Sequence, residues 1–360
     1  MIKRCKVENF KSLKSSELKN LKRINLFGGK NNTGKTTLME ALFLFQDRLN
    51  PECFLRLHSW RGVGLIQKDT SELYAPFFYE YNTDKAISIE VEEFNLEIKK
   101  LKINLKNDNQ KSISLNNFKL SNIDSSTKVI NNDSLEMTLD YSGKGSGKSR
   151  EHIIHKFEED NNFNVNVKNV RPNEVRKAVF LVAKQLTNYN ENAVRFGELV
   201  KENTENEILN FLKIIEPRLS SISTIQLRDN TSTLYGDIGL KKKIPLNYMG
   251  DGITRILSIL LAIIDTRNGI VFIDEIENGI HHSVMKEVWS MIDKASKKYN
   301  CQVFVTTHSY ECLASLLEGA QESKDELSYV RLERVGNEIK SKEYDYEMLE
   351  IAIKQGWEVR

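Results

Sequence analysis

The chain has 360 residues, 40% apolar and 28% charged, enough for a large core and one elaborated domain or two. Fifty-two basic against fifty acidic residues leave a net charge of +2, so bulk charge gives no sign of a nucleic-acid binder. Scattered cysteines (Cys5, Cys53, Cys301, Cys312) without C-x-x-C spacing suggest neither a zinc site nor a disulfide framework. The N-terminus lacks a signal-peptide core and the run Ile256 to Ile264 is too short to span a bilayer, so the expectation is a soluble cytoplasmic protein.

In chain order, Cys5 to Phe10 and Ile24 to Phe27 read as two short strands around a charged turn. Between the second strand and an apolar helical stretch, Thr37 to Phe45, lies Gly29-Lys30-Asn31-Asn32-Thr33-Gly34-Lys35-Thr36, which matches G-x-x-x-x-G-K-[ST] at every fixed position. From about residue 85 to 170, segments such as Ile87 to Glu92 and Leu135 to Leu139 alternate apolar and polar residues, predicting a polar antiparallel β region. Within it, Gly143 to Ser149 imitates a second phosphate loop. Ser142 replaces the first glycine and no apolar helix follows, so a hairpin tip is expected. A helix is expected over 205–215, ended by Pro217, then strands within 222–246 and a helix over about 253–265. Gly269 to Ile273 and Cys301 to Val305 read as buried strands joined by a helix from Ser283 to Tyr299, a βαβ unit that argues for a parallel sheet.

The chemistry-bearing residues cluster at strand ends. Glycines in the 29–36 loop let backbone N–H groups approach phosphate oxygens, Lys35 would reach the β/γ-phosphates, and the Thr36 hydroxyl would join a Mg²⁺ shell. Asp274 and Glu275 end the aliphatic strand. The first suits Mg²⁺, and the second would orient or deprotonate an attacking water. His308 follows the next strand on the ligand side of the sheet. The turn Tyr248 to Arg255, with Gly250, Asp251 and Gly252, opens a helix whose N–H groups can cap an anion, here the γ-phosphate bound to a second protomer. The adjacent His281 and His282 read as a loop at a subunit contact, because no further metal ligands stand at suitable spacing.

In this order the elements resemble the ABC-type ATPase class, in its RecF/SMC/OLD-like branch. Val7 to Leu13 is similar to the start of such heads. Residues 29–36, followed by Thr37, look like Walker A, and Gly250, Asp251, Gly252 and Arg255 look like the signature motif. Ile270 to Glu275 looks like Walker B with its catalytic glutamate, Glu277 to His281 like the D-loop, and His308 like the switch histidine. The resemblance implies an α/β P-loop NTPase head with a mixed, largely parallel central sheet, an antiparallel β-rich lobe and a helical subdomain. It also implies ATP, Mg²⁺ and a head-to-tail dimer whose sites join one chain's Walker A to the other's signature. On this pattern the chain divides into 1–84 with Walker A, 85–175 as the β-rich lobe and 176–246 leading to the signature. Residues 247–340 carry the remaining motifs and 341–360 form a tail. Three departures stand out. Gly250 replaces the signature serine. No Q-loop glutamine can be placed, Gln46 being too close to the loop and Gln67 lacking a setting. Neither coiled-coil arms nor room for a Toprim nuclease domain after His308 is visible.

These features lead to the expectation of an ATP-hydrolysing dimeric switch that senses a trigger and controls a separately encoded effector, such as a nuclease or toxin, in anti-phage defence. The alternative is a RecF-like ATPase clamping duplex DNA, for which Lys241-Lys242-Lys243 and Lys297-Lys298 are candidate contacts. A small-molecule kinase is disfavoured by the Gly250 turn and His308. The motifs do not separate ATP from GTP; ATP comes from the resemblance.

Overall fold

The computed structural model describes the chain except residues 51, 64–72, 108–132, 144–145, 158–162, 169–174, 184–188, 229, 337 and 360. Gln67 lies outside the described residues. The strands are β1 (Ile2–Phe10), β2 (Leu13–Leu18), β3 (Ile24–Gly28), β4 (Ile87–Glu93), β5 (Ile98–Asn107), β6 (Asp133–Gly143), β7 (Ser146–Phe157), β8 (Phe163–Lys168), β9 (Ala178–Leu181), β10 (Ser221–Gln226), β11 (Ser232–Asp237), β12 (Ile244–Pro245), β13 (Ile270–Ile273), β14 (Gln302–Thr306), β15 (Leu327–Val335) and β16 (Glu338–Tyr344). The α-helices are α1 (Lys35–Asp47), α2 (Cys53–Ser59), α3 (Tyr189–Lys201), α4 (Glu205–Ile215), α5 (Asp251–Asp265), α6 (Met285–Lys298), α7 (Tyr310–Gly319) and α8 (Tyr346–Lys354).

The described residues form three sheets. The central one has six strands in the order β16-β15-β3-β14-β13-β9, all neighbours parallel except β15 and β16. Both faces of its inner strands are covered, which explains why β3, β13 and β14 are buried along their whole length without alternation. Ile24, Leu26, Val271, Ile273, Val303 and Val305 point into a core shared with α3 to α8. Phe27, Ile270, Phe272 and Phe304 point the other way, toward α1 and the second sheet. On that face Phe180, Phe272 and Phe304 stack across neighbouring strands, with centroids 5.7 and 5.2 Å apart.

The second sheet has seven strands, β2-β1-β4-β5-β6-β7-β8. Here β1 pairs with β4, so residues 1–84 and 85–175 share one hydrogen-bonded sheet and the expected boundary near residue 84 falls inside it. The false loop resolves as a hairpin: β6 and β7 pair up to Gly143 and Ser146, while residues 144–145 lie outside the description. A three-stranded sheet, β10-β11-β12, stands beside α3.

Helix α1 is buried on nearly every side because it lies between the two large sheets, in contact with β1 and β4 on one side and β9 and β14 on the other. All its residues except Thr36 and Asp47 are buried. At its far end Arg48 and Glu151 are both 1% exposed and paired at 3.2 Å, tying α1 to β7. Tyr141 also donates to Glu151, and Arg48 is bonded to the Phe45 carbonyl.

Several elements of the structure lie outside the sequence expectation, among them β9, β15 and α7. The charged turn after Phe10 contains β2, a polar strand at the sheet edge. Helices α2 and α3 went unread, the latter because Asn, Glu and Gly interrupt its buried Ala193, Phe196 and Leu199 stripe.

Candidate functional site

Strand order alone brings the expected residues together. The 29–36 loop leaves β3, Asp274 and Glu275 leave β13, and β14, which delivers His308, lies between them. Neighbouring strands are spaced by about 4.8 Å, so His308 emerges between loop and acids. The geometry follows that order. Lys35 Nζ stands 3.2 Å from His308 Nδ1, and His308 Nε2 stands 3.5 Å from Glu275 Oε1. An ammonium can only donate, so Nδ1 accepts and the Nε2 proton faces Glu275.

The loop itself is a backbone cradle. Gly29 has φ 126° and Gly34 φ 84°. A Cβ on Gly29 would lie 2.2 Å from the Leu332 carbonyl oxygen of β15, so the scaffold admits only glycine there. Lys35 Nζ donates to the carbonyls of Gly29 and Lys30 at 2.7 and 2.8 Å. Burial pulls the Lys35 amine down to about 8, against the opposing pull of Asp274, Glu275 and Glu277. Lys30, Asn31 and Asn32 are exposed, and Thr33 closes the turn onto the Lys30 carbonyl at 2.8 Å. Thr37 is buried, 3.5 Å from Ser12 Oγ. Helix α1 begins without a side-chain cap and without an acid in its first turn, which leaves its terminal N–H groups available to an anion.

Asp274 Oδ1 accepts from Thr36 Oγ1 at 2.8 Å and from Thr306 Oγ1 at 2.7 Å. Burial raises the Asp274 carboxyl pKa above the usual carboxylate value, and these two hydroxyls oppose that rise. Thr36 and Asp274 together present hard oxygen donors side by side, a set suited to Mg²⁺. Glu275 has φ 46°, a left-handed conformation that costs a non-glycine residue about 1–3 kcal/mol. It is held by its N–H bond to Thr306 Oγ1 at 2.8 Å and by Asn278 Nδ2 donating to Glu275 Oε2 at 2.8 Å. Glu277 Oε1 accepts the His308 N–H at 2.7 Å.

Thr306 joins the candidate site without having been singled out in the sequence, and Glu277 and Asn278 join it from the segment that resembles a D-loop, although no individual role was expected of them. Thr306 carries a usable signal: it is the last residue of a buried strand, immediately before the Thr307-His308 pair.

The Gly250 turn is not hydrogen-bonded to residues 29–37 among the described residues. Gly250 (φ 117°) is exposed and caps α5 without a side-chain bond, and Gly252 packs closely on the Gly279 carbonyl. Asp251 is exposed and places a negative charge in the first turn of α5. Arg255 departs from its expected place facing a second chain's nucleotide. Its guanidinium turns inward and donates to the carbonyls of Asp274 (2.7 Å) and Val182 (3.2 Å). His281 and His282 are exposed, with rings 4.2 Å apart, and line a cavity of about 440 Å³ with Glu277 and Met285. Of the lysines proposed for DNA, Lys297 pairs with Asp293 at 3.7 Å and Lys298 pairs with Glu207. Lys241, Lys242 and Lys243 are exposed.

A parallel sheet with a glycine loop after one strand and a carboxylate pair two strands away is the arrangement of the P-loop NTPase fold. A family model described as "AAA domain, putative AbiEii toxin, Type IV TA system" matches residues 24–314, and the chain belongs to that family. An "ATP/GTP phosphatase" of Helicobacter pylori is 26% identical over 334 residues, covering 88% of this chain and 87% of that protein. An uncharacterized protein of Methanocaldococcus jannaschii is 34% identical over 99 residues, 28% of this chain and 87% of its own length. Among solved structures, an SMC head bound to the C-terminal winged-helix domain of ScpA aligns over 98% of this chain and 99% of its own. The TM-score is 0.51 and the identity 12%, a likeness of fold. No helix among the described residues is long and apolar enough to cross a membrane.

Proposed function

We propose that this protein binds and hydrolyses ATP, and that the bound nucleotide closes a head-to-tail dimer controlling a separately encoded effector. The carrying observation is the convergence of Lys35, Thr36, Asp274, Glu275 and His308 at the ends of three adjacent strands. The likeness to a protein named ATP/GTP phosphatase supports the hydrolytic part. The family description, which names a toxin system, and the SMC head captured with a ScpA domain support the partner part.

In this reading the α1 N-terminus and loop amides bind the β/γ-phosphates. Lys35 exchanges its bonds to Gly29 O and Lys30 O for phosphate oxygens. Mg²⁺ held by Thr36 and Asp274 would neutralise phosphate charge. Glu275 orients a water in line with the γ-phosphate and takes its proton. Asn278 fixes one Glu275 oxygen, leaving the other, nearer His308, for the water. His308, with its proton on Nε2, donates toward the site where negative charge grows. Gly250 and Gly252 amides would meet the nucleotide of a second chain. Residues 85–175 or the helical layer would receive the effector.

The test is Mg²⁺-dependent phosphate release by the purified chain, followed by sizing with ATP and by co-expression with neighbouring gene products. No release from either ATP or GTP would overturn the hydrolytic reading. Free monomer in every nucleotide state, with no complex on co-expression, would overturn the switch.

A further inference from the structure

The Asp274–Glu275 peptide is held by side chains at both ends. Its N–H donates to Thr306 Oγ1 at 2.8 Å, and its carbonyl accepts from Arg255 at 2.7 Å. That peptide sets the direction from which the Glu275 side chain leaves the backbone, and Glu275 sits at φ 46°, where it stays only under constraint. Thr306 belongs to β14, inside the sheet. Arg255 belongs to α5, one turn from the exposed Gly250 start, and its second bond goes to Val182 beyond the end of β9. The guanidinium therefore bridges the helix that carries the Gly250 turn and the ends of two central strands. It is largely desolvated, and its Nε has no partner among the described residues. This half-buried guanidinium, through its two backbone contacts, ties α5 to both strand ends.

We propose that Arg255 is a positioning residue for Glu275, and that it makes the aim of the Glu275 carboxylate depend on the position of α5. This rests on the hydrolytic reading above. When the Gly250 turn engages the nucleotide of a second chain, α5 and its arginine are fixed, and the same chain's own Glu275 is fixed with them. Each chain's engagement thus licenses hydrolysis in its own site, and the two sites become coupled. A misplacement near 1 Å at a catalytic group is worth roughly 100-fold in rate, so a small movement of α5 suffices.

The experiment compares the wild-type chain with Arg255→Met and Arg255→Lys. ATP affinity, ATP-induced dimerisation, hydrolysis at saturating ATP and hydrogen exchange over residues 270–280 and 29–40 are measured. Arg255→Met is expected to keep ATP affinity within about threefold and still dimerise, while kcat falls at least about 30-fold. Exchange should speed up over 270–280 and stay unchanged over 29–40. Arg255→Lys, which retains one donor to the Asp274 carbonyl, should recover much of kcat, and it carries the comparison if the methionine variant does not fold. Unchanged kcat in Arg255→Met overturns the proposal. So does a loss of ATP affinity of about tenfold or more, which would place Arg255 on the nucleotide. If the wild-type chain hydrolyses nothing, the hydrolytic reading fails, and the exchange pattern still decides whether Arg255 holds the Asp274–Glu275 peptide.

Discussion

Gly29→Ala separates what the scaffold demands of the loop from what a nucleotide demands. Gly29 has φ 126°, and an added Cβ would meet the Leu332 carbonyl oxygen at 2.2 Å and Thr33 Oγ1 at 3.1 Å. The backbone conformation alone costs an alanine about 1–3 kcal/mol. A carbon–oxygen contact relaxes only near 3.3 Å, so something must move by about 1 Å, adding about 1–3 kcal/mol of overpacking. Leu332 is paired with Ser341 of β16 and cannot easily retreat, so the loop moves instead. The Gly29 carbonyl that receives Lys35 then shifts with it. We expect destabilisation of about 2–6 kcal/mol in urea unfolding and at least a 30-fold loss of ATP affinity, the latter corresponding to about 2 kcal/mol. Gly250→Ala is the control: φ is 117° but no atom lies within 4 Å of the new Cβ, so only the strain of about 1–3 kcal/mol applies. Stability within about 0.5 kcal/mol of wild type together with unchanged ATP affinity in Gly29→Ala would refute the reasoning.

Glu275→Gln should retain ATP binding and lower phosphate release by about 100- to 10,000-fold, trapping an ATP-bound dimer visible on sizing; turnover at the wild-type rate would move the base elsewhere. Lys35→Ala should weaken ATP binding by about 10- to 150-fold, as expected for losing charged hydrogen bonds, measured by nucleotide titration. Removing divalent cations with a chelator should weaken ATP binding to the wild-type chain and much less to Asp274→Asn, because that variant already lacks the carboxylate. Glu151→Gln leaves the 1% exposed Arg48 facing no carboxylate among the described residues and should cost about 3–5 kcal/mol in urea unfolding; a loss below about 1 kcal/mol would show that Tyr141 and backbone carbonyls suffice for the guanidinium.

The site was legible where local pattern and chemistry coincide. The 29–36 loop, the Ile270–Ile273 strand with its two acids, and the strand before His308 each announce themselves within a few residues. Their meeting followed from the sheet order β3-β14-β13, which a βαβ pattern suggests but does not determine. The inward bonds of Arg255 were not legible, because a helical residue near a glycine turn has the same sequence signature whether it points out or in. Only the carbonyls of Asp274 and Val182, supplied by two other strands, decide it. Residues 85–175 read as a separate lobe because their alternation is local, whereas the pairing of β4 with β1 spans more than eighty residues of sequence and leaves no mark in composition.

Helix α1 is gripped from both sides by the two large sheets. The phosphate end of a nucleotide would therefore be bolted to the least compliant part of the molecule, an anvil that cannot swing. Helices α3, α4 and α5, by contrast, pack on one another against a single face of the central sheet, without a second sheet over them. A partner that reports on nucleotide state would gain most by resting on that layer, where a lever moves, and least by resting on the sheets that clamp α1.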